Sequence, residues 1–336
     1  MLKTLTIAAA AACFVVPAQA ASVADPYTSF IVLGDSLSDP GNFPQLTWEL
    51  ATGGAPFFDV PEDDPRTVNP EDGGTFSTGP VWADVLTTAF AAQLKPTLNT
   101  AVGGATADTA QGSVDLSAQQ ADAEAFLRTA DAGSRPLMSY WFGANDIFQA
   151  LAPNSTTNPF TASATAASNI ADSIERSITL HSVTDFLVMN LPSFDLIPLF
   201  NGADDTTKTN VRLVSDFFNT SLVAELGAAE LSNVNITVLD VNALFSEVLA
   251  DPSALGYVNV TDACVTTDNS GQVPVRIDTC AAPDTYLFID NVHPTAAAHA
   301  RIGDAASAAL APVPLPAGVW LLLGGLGALA LRKRAT

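Results

Sequence analysis

Basic residues are scarce in this 336-residue sequence. Lys and Arg number 13 against 35 Asp and Glu, and charged residues make up only 14% of the chain. The resulting net charge of −22 would repel the phosphates of nucleic acids and anionic membrane surfaces. Hydrophobic residues reach 48%, so the sequence also lacks the composition of a disordered protein. We therefore expect a folded chain with a large core and no nucleic-acid partner.

Histidine and cysteine are rarer still, with three of each. No internal repeat of the kind that builds solenoids or propellers occurs in the sequence. Cys13 falls in the N-terminal segment described below, which leaves Cys264 and Cys280 as a pair. Two cysteines with no histidine between them cannot form a structural zinc site unaided. In an exported protein the pair would form a disulfide, and two unpaired thiols are the alternative.

Residues 1–20 have the pattern of a secretory signal peptide. Lys3 gives a positive start, an apolar run extends from Leu5 to Val16, and Ala18 and Ala20 provide small residues for cleavage after Ala20. A buried N-terminal helix is the alternative interpretation. We expect export to remove this segment and the folded domain to begin at residue 21.

Residues 312–336 have a second pattern typical of targeting. Pro314–Ala317 precedes an apolar run from Gly318 to Leu331, and three basic residues follow at 332–334. The run is short for a membrane helix, which needs about 20 apolar residues, and the basic cluster would stay on the cytoplasmic side. The pattern resembles the PEP-CTERM or VPLPA sorting tails of Gram-negative bacteria. A plain C-terminal membrane anchor is the alternative.

Removal of the two terminal segments would make the protein more acidic. They hold four of the 13 basic residues and no acidic one, which leaves nine against 35 and a net charge of −26. Such a body suits an exported protein at the outer cell surface or in the medium. Its contact with the inner membrane would be transient and made through the tail, before sorting machinery processes that tail.

Short apolar runs alternate with helical patterns along the remaining chain, residues 21–311. The runs are nearly continuous, as expected for parallel strands buried on both faces, and the alternation predicts one doubly wound α/β/α domain. The predicted strands are Phe30–Leu33, Leu98–Val102, Leu137–Phe142, Asp185–Met189 and Val234–Leu239. The predicted helices are Val81–Gln93, Ser117–Thr129, Ala162–Leu180, Val211–Ser232 and Thr295–Leu310. Residues 43–80, rich in Pro, Gly and Asp, form a long insertion that we expect to shape a substrate pocket.

A serine lies just beyond the first predicted strand, in the segment Gly34–Asp39. In an α/β sheet, ligands bind beyond the carboxyl ends of the strands, which makes Ser36 a candidate nucleophile. The Gly-Asp-Ser triplet alone is ordinary turn sequence. The G-x-S-x-G elbow of the α/β-hydrolases is absent from the sequence, which disfavours that fold.

A base and an acid for this serine are available in one loop. A serine hydroxyl needs a base to take its proton, and the base needs a carboxylate to fix its tautomer. Asp290 and His293 are three residues apart, so a single turn can supply both groups. His181 precedes a strand without a nearby acidic motif, and His299 lies in the last predicted helix, where capping or packing is expected. A structural role is the alternative for His293 taken alone.

Donors for an oxyanion follow two other strands. Acyl transfer builds negative charge on a carbonyl oxygen, which two or three fixed donors must stabilise. Asn145, in the segment Gly143–Asp146 after the third strand, can donate from its side-chain amide. A glycine of the segment Asn99–Gly104 can donate its backbone N–H, and the N–H of Ser36 is the third candidate. Each segment taken singly could be turn sequence.

Together, these segments resemble the four blocks of the SGNH hydrolase family, also called the GDSL family, in order and spacing. Phe30–Asp39 matches its Ser block, Asn99–Gly104 its Gly block, Gly143–Asp146 its Asn block and Asp290–Pro294 its D-x-x-H-P block. The resemblance covers about Ser29 to Leu310. Three further segments are similar to the larger GDSL lipases, which include plant-type enzymes and bacterial hemolysin or autotransporter esterases. They are Thr75–Trp82, Gly256–Cys264 and Tyr286–Asp290.

The resemblance implies a flavodoxin-like three-layer α/β/α sandwich with a mainly parallel five-stranded sheet. It assigns the nucleophile to Ser36, the base to His293 and the acid to Asp290. The oxyanion donors would be Ser36, Gly104 and Asn145, with Gly103 as the alternative if the Gly block is shifted by one residue. No metal or cofactor is implied.

The implied activity is hydrolysis of small-molecule or lipid carboxylic esters through an acyl-enzyme intermediate. An O-acetyl esterase or acyltransferase acting on a surface polysaccharide would use the same groups and is the second hypothesis. A non-catalytic surface or matrix protein on the same fold is the third, and the presence of Ser36, Asn145, Asp290 and His293 counts against it.

Overall fold

The computed structural model describes residues 22–42, 75–108, 114–228, 231–268 and 275–311. Residues Val23–Ala311 form one compact unit. The predicted signal peptide, the predicted sorting tail and residues 43–74 of the predicted insertion lie outside the described residues. Among the described helices, none has both the length and the apolar character needed to cross a bilayer.

A five-stranded parallel sheet forms the centre of this unit. Its strands are β1 Ser29–Gly34, β2 Thr97–Asn99, β3 Pro136–Trp141, β4 Asp185–Met189 and β5 Asn235–Leu239. They are arranged in the order β2-β1-β3-β4-β5, and all four neighbouring pairs are parallel. Every residue of β1, β3 and β4 is buried, which explains their near-continuous apolar runs. The predicted parallel sheet is confirmed.

Seven α-helices occur in the described ranges. They are α1 Trp82–Ala91, α2 Leu116–Leu127, α3 Ala144–Leu151, α4 Pro159–His181, α5 Asp205–Leu226, α6 Val241–Ala250 and α7 Ala296–Leu310. Helix α1 packs against α7, whereas α4 packs against α2, α3 and α5.

Two neighbouring side chains of β3 show that these helix groups cover opposite faces of the sheet. The hydroxyl of Tyr140 lies 3.4 Å from Oγ of Ser177 on α4. The ring of Trp141 packs edge-on against Trp82 of α1, with 6.3 Å between centroids. Because successive side chains of a strand point to opposite faces, α4 and α1 lie on different sides. The three-layer α/β/α sandwich implied by the resemblance is therefore confirmed.

The structure differs from the predicted elements in several helices and in one strand. Helices α3 and α6 were not predicted. Helix α5 begins six residues before the predicted Val211, because Asp204 caps it by accepting the N–H of Thr207 at 2.8 Å, and it ends at Leu226 rather than Ser232. Strand β2 ends at Asn99 rather than Val102, although the N–H of Thr100 still donates to the β1 carbonyl of Val32 at 2.9 Å.

Two short strand pairs precede α7. Strands β6 Asn259–Ala263 and β9 Tyr286–Phe288 are parallel, while β7 Val265–Asp268 and β8 Val275–Thr279 are antiparallel. A disulfide joins Cys264 and Cys280, the two cysteines that the sequence analysis paired. The chain leaves β9 directly into the loop that carries Asp290.

Candidate active site

Ser36 lies in the turn that follows β1, at the carboxyl edge of the sheet. Its side chain is nearly buried, and Oγ lies 2.8 Å from Nε2 of His293. The turn is tight: a Cβ on Gly34 would lie 2.8 Å from Cβ of Ser38, so the last residue of β1 has to be glycine. The hydroxyl of Ser36 thus faces an imidazole nitrogen supplied by a segment more than 250 residues later in the chain.

The imidazole comes from the loop between β9 and α7, together with a carboxylate. Nδ1 of His293 lies 2.7 Å from Oδ2 of Asp290. Oδ1 of the same carboxylate accepts the backbone N–H groups of Val292 at 2.8 Å and of His293 at 2.7 Å. Asp290 therefore closes its own loop and orients the ring. The structure brings together Ser36, His293 and Asp290, the three residues that the sequence analysis selected.

The charges and burial of His293 and Asp290 suit proton transfer. Burial opposes a charge on the ring, but the Asp290 carboxylate and its hydrogen bond outweigh burial and raise the pKa of His293 above its ordinary value. Burial alone would raise the pKa of Asp290, whereas His293 and the two backbone N–H groups lower that pKa. A proton that arrives at Nε2 is stabilised while the carboxyl group stays ionised.

A carboxylate from the Ser36 turn holds Gly103, one of the two glycines after β2. The N–H of Gly103 donates to Oδ2 of Asp39 at 2.8 Å, so it is already occupied. Gly104 has a φ of +81°, lines the same cavity as Ser36, and has an N–H without an acceptor among the residues that the structure describes. The backbone N–H of Ser36 likewise lacks an acceptor in the described ranges. The geometry favours Gly104 over Gly103 as a donor.

Asn145 lies in the first turn of α3 and lines this cavity. Its Nδ2 donates to the carbonyl of Ala105 at 2.9 Å and lies 3.4 Å from Oδ2 of Asp35. Gly143 has a φ of +111°, and a Cβ there would lie 2.5 Å from the ring of Phe218, so only glycine lets the chain turn into α3. Burial raises the pKa of Asp35 to about 7, so this carboxyl group carries less than a full charge beside the nucleophile near neutral pH.

A cavity of about 240 Å³ opens beside Ser36. Its polar lining includes Ser36, Asn145 and His293. The remainder of the wall is largely apolar and includes Trp141, Phe148, Leu191, Phe194, Ile197 and Phe245. The rings of Phe148 and Phe194 stack with 4.9 Å between centroids. The cavity can therefore hold an apolar group next to the serine hydroxyl.

The segment before α1 contacts the loop between β9 and α7 that carries His293, called the histidine loop below. The ring of Phe76 lies 5.2 Å from the imidazole of His293, between centroids. Oγ of Ser77 donates to the carbonyl of Pro294 at 3.0 Å, and Oγ1 of Thr78 accepts the N–H of Ala296 at 2.8 Å. This segment belongs to the insertion that was expected to shape a substrate pocket, and Phe76 does line the cavity beside Ser36. The hydrogen bonds of Ser77 and Thr78 to the histidine loop were not predicted.

His299 takes a structural position, in agreement with the sequence analysis. It is fully buried on α7, and Nδ1 accepts the backbone N–H of Trp82 at 3.3 Å. Burial lowers the pKa of His299 to about 3, so the ring is neutral. In the described part of the chain, His, Cys, Asp and Glu nowhere form a group of three that could hold a metal ion.

Comparison with known proteins gives matches over most of the chain. Residues 30–306 match the family described as GDSL-like lipase/acylhydrolase. The thermolabile hemolysin of Vibrio parahaemolyticus is 25% identical over 296 residues, which cover 85% of this chain and 64% of the hemolysin. A protein from the trpE–trpG intergenic region of Pseudomonas putida is 30% identical over 314 residues, covering 85% of this chain and 49% of that protein. The chain thus spans less than two thirds of the length of either relative.

Among solved structures, a catalytic mutant of an acetylxylan esterase from Geobacillus stearothermophilus is similar to this chain. It is 16% identical, has a TM-score of 0.44, and the match covers 84% of this chain and 94% of the esterase.

Proposed function

We propose that this chain, which belongs to the GDSL-like lipase/acylhydrolase family, hydrolyses carboxylic esters with Ser36 as nucleophile. The observation that carries the proposal is the continuous hydrogen-bonded chain from Asp290 through His293 to Ser36, with distances of 2.7 Å and 2.8 Å. Such a chain activates a hydroxyl that is otherwise a poor nucleophile at neutral pH.

The proposed reaction has two halves. Oγ of Ser36 attacks the acyl carbon while Nε2 of His293 takes its proton, and Asp290 stabilises the imidazolium. The alcohol leaves with the proton from Nε2, and the acyl group stays on Ser36 as an ester. A water molecule then attacks that ester, His293 again acts as base, and the released acid restores the free serine.

The oxyanion formed in each half would be held by three N–H donors. These are the backbone N–H groups of Ser36 and Gly104 and the side-chain amide of Asn145. All three residues line the cavity beside the hydroxyl of Ser36. Fixed donors of this kind typically contribute ~10²- to 10³-fold each to the rate.

The cavity supports an acyl group longer than acetyl. An apolar cavity of about 150 Å³ is large enough for benzene, whereas the cavity beside Ser36 measures about 240 Å³ and has a largely apolar wall. An acetyl group would leave most of that space unfilled. We therefore favour esters of longer apolar acids over O-acetyl groups of polysaccharides as substrates.

We further propose that the enzyme acts outside the cytoplasm. The pattern of residues 1–20 and the acidic body favour export. The disulfide between Cys264 and Cys280 suits an oxidising compartment. The segment 312–336 would then serve as a sorting or membrane segment rather than as part of the hydrolase domain.

The test is an activity profile of the purified protein. It uses p-nitrophenyl esters from acetyl to palmitoyl together with an acetylated xylan, each with and without a covalent phosphonate inhibitor. We expect hydrolysis to be greatest for acyl chains longer than acetyl and to stop when the inhibitor labels Ser36, located by peptide mass spectrometry. Absence of hydrolysis on every substrate, or activity that survives complete labelling of Ser36, would contradict the proposal.

A further inference from the structure

Two buried aspartates flank the nucleophile in its turn, and the reaction outlined above uses neither of them. Asp35 directly precedes Ser36 and Asp39 follows it by three residues, and both side chains are almost completely buried. A buried carboxyl group costs free energy unless hydrogen bonds compensate for the lost water. The partners of these two side chains therefore indicate what holds them in place.

Asp39 holds the glycine loop after β2. Its Oδ1 accepts the N–H of Gly41 at 2.8 Å, inside its own turn, while Oδ2 accepts the N–H of Gly103 at 2.8 Å, from the other loop. Gly103 has little room to move, because a Cβ there would lie 2.3 Å from the ring of Phe76. Its position fixes the next peptide group, which carries the N–H of Gly104.

Asp35 holds the amide of Asn145. Its Oδ1 accepts the N–H of Leu37 at 3.0 Å, again inside the turn, and Oδ2 lies 3.4 Å from Nδ2 of Asn145. The carbonyl of Ala105 takes the other amide hydrogen at 2.9 Å. Because Nδ2 has an acceptor on each side, the NH₂ end of the Asn145 amide, rather than its oxygen, faces Asp35 and the carbonyl of Ala105. A contact of 3.4 Å is weak, so an oxyanion can compete for that hydrogen.

The two aspartates thus act in the same way. Each uses one carboxylate oxygen to fix the turn around Ser36 and the other to reach the segment that follows a different strand of the sheet. The nucleophile and the donors from the other two segments are thereby linked by side chains rather than by the sheet alone.

We propose that Asp35 and Asp39 are positioning residues for the oxyanion donors, Asp39 for Gly104 through the N–H of Gly103 and Asp35 directly for Asn145. The inference rests on the ester hydrolysis proposed above. A displacement of about 1 Å at a reacting centre can cost ~10²-fold in rate. Loss of either carboxylate should therefore slow the chemical step without weakening substrate binding.

The test compares Asp35→Asn and Asp39→Asn with the wild type on matched pairs of oxygen esters and thionoesters. A thiolate accepts weaker hydrogen bonds than an oxyanion, so the oxygen-to-sulfur rate ratio reports on the donors. We expect kcat for the oxygen ester to fall by about tenfold to 100-fold with KM changed by less than about twofold. The oxygen-to-sulfur ratio should fall with it.

Asp115→Asn is the matched control. Asp115 is another buried aspartate that accepts a backbone N–H, that of Ala118 at 3.1 Å, but it caps α2 and does not line the cavity. Asp115→Asn should fold, because asparagine caps a helix about as well as aspartate, and it should leave the oxygen-to-sulfur ratio unchanged. If Asp39→Asn does not fold by circular dichroism, Asp39→Ser, which keeps an acceptor oxygen, takes its place.

A double-mutant cycle separates positioning from a purely structural role for Asp35. In an Asn145→Ala background, Asp35→Asn should change kcat by less than about twofold, because its target is already gone. An undiminished effect there, or a wild-type oxygen-to-sulfur ratio in both single variants, would overturn the inference. A wild-type protein that hydrolyses neither ester would instead overturn the proposed function, and this inference with it.

Discussion

Nδ1 of His293 lies 2.7 Å from Oδ2 of Asp290, and the other oxygen of that carboxylate accepts two backbone N–H groups of the same loop. One side chain therefore sets both the tautomer of the imidazole and the path of the backbone that carries it. The position and the basicity of the proposed base both depend on Asp290.

Asp290→Asn should therefore change both the rate and its pH dependence. His293 must be neutral to take a proton, and the carboxylate raises the pKa of His293 above the ordinary ~6.5. In the wild type, kcat/KM should thus rise with pH through a midpoint above ~6.5. Without the carboxylate, burial lowers the pKa of the ring, so that midpoint should move to lower pH while kcat falls by ~10⁴-fold.

The measurement for Asp290→Asn is a pair of pH profiles of kcat/KM. Asp284→Asn, at an exposed aspartate six residues earlier, is the control and should leave the profile unchanged. An acid limb at the same pH in wild type and Asp290→Asn would contradict the assignment of His293 and Asp290 as a coupled pair.

The disulfide is connected to the histidine loop through two hydrogen bonds. Val265, next to Cys264, donates its N–H to the carbonyl of Ile289 at 2.7 Å, and Ile289 donates its N–H to the carbonyl of His293 at 2.9 Å. Replacing both cysteines by serine should lower the free energy of unfolding by about 3 kcal/mol, the value expected for a loop of this length. It should also reduce kcat.

Urea unfolding and non-reducing peptide mapping check this second prediction. Mapping of the exported protein should recover one peptide pair linked through Cys264 and Cys280. Two free thiols in that protein, or equal stability of the wild type and the double serine variant, would show that the pairing is wrong.

Phe148 should control the length of acyl chain that the cavity accepts. It lies one helical turn after Asn145 and stacks on Phe194 in the cavity wall. Phe148→Ala should shift the preferred p-nitrophenyl ester to a longer acyl chain, because it enlarges the apolar space beyond Ser36. Phe160→Ala, at a more exposed ring outside the cavity, is the control. An unchanged chain-length profile for Phe148→Ala would place the acyl group elsewhere.

A chain that ends at Ala311 should keep the fold and the activity. The last described helix, α7, ends at Leu310, and its buried residues pack within the unit that ends at Ala311. We expect the shortened chain to match the full-length chain in unfolding temperature and kcat and to stay in the soluble fraction. The full-length chain should associate with membranes until it is processed. Aggregation or inactivity of the shortened chain would show that the hydrolase domain extends beyond Ala311.

The sheet and the residues of the proposed triad were predictable because local sequence marks each strand and each of the segments that carry Ser36, Asp290 and His293. A continuous apolar run such as that of β4 indicates a strand buried on both faces, and its predicted limits, Asp185–Met189, agree with the structure. Ser36, Asp290 and His293 could be selected because nucleophile, acid and base must have particular chemistries at the carboxyl edge of the sheet.

The hydrogen bonds that hold the loops of the site together could not be predicted, because they join distant segments of the chain. Asp39 and Gly103 are 64 positions apart, and Ser77 and Pro294 are 217 apart. No periodicity or spacing relates such pairs. Helix α3 was missed for a local reason: it begins inside the Asn block, directly after Gly143 at positive φ, where the sequence is typical of a turn.

Ser36→Ala tests the central claim most directly. Ser163→Ala, which removes a buried hydroxyl of α4 that bonds the carbonyl of Pro159, is the matched control. With the best ester of the chain-length series, we expect Ser36→Ala to lower kcat by ~10⁴-fold or more while its circular dichroism and unfolding temperature match the wild type. Ser163→Ala should retain its activity. A folded Ser36→Ala protein with near-normal ester hydrolysis would contradict the account.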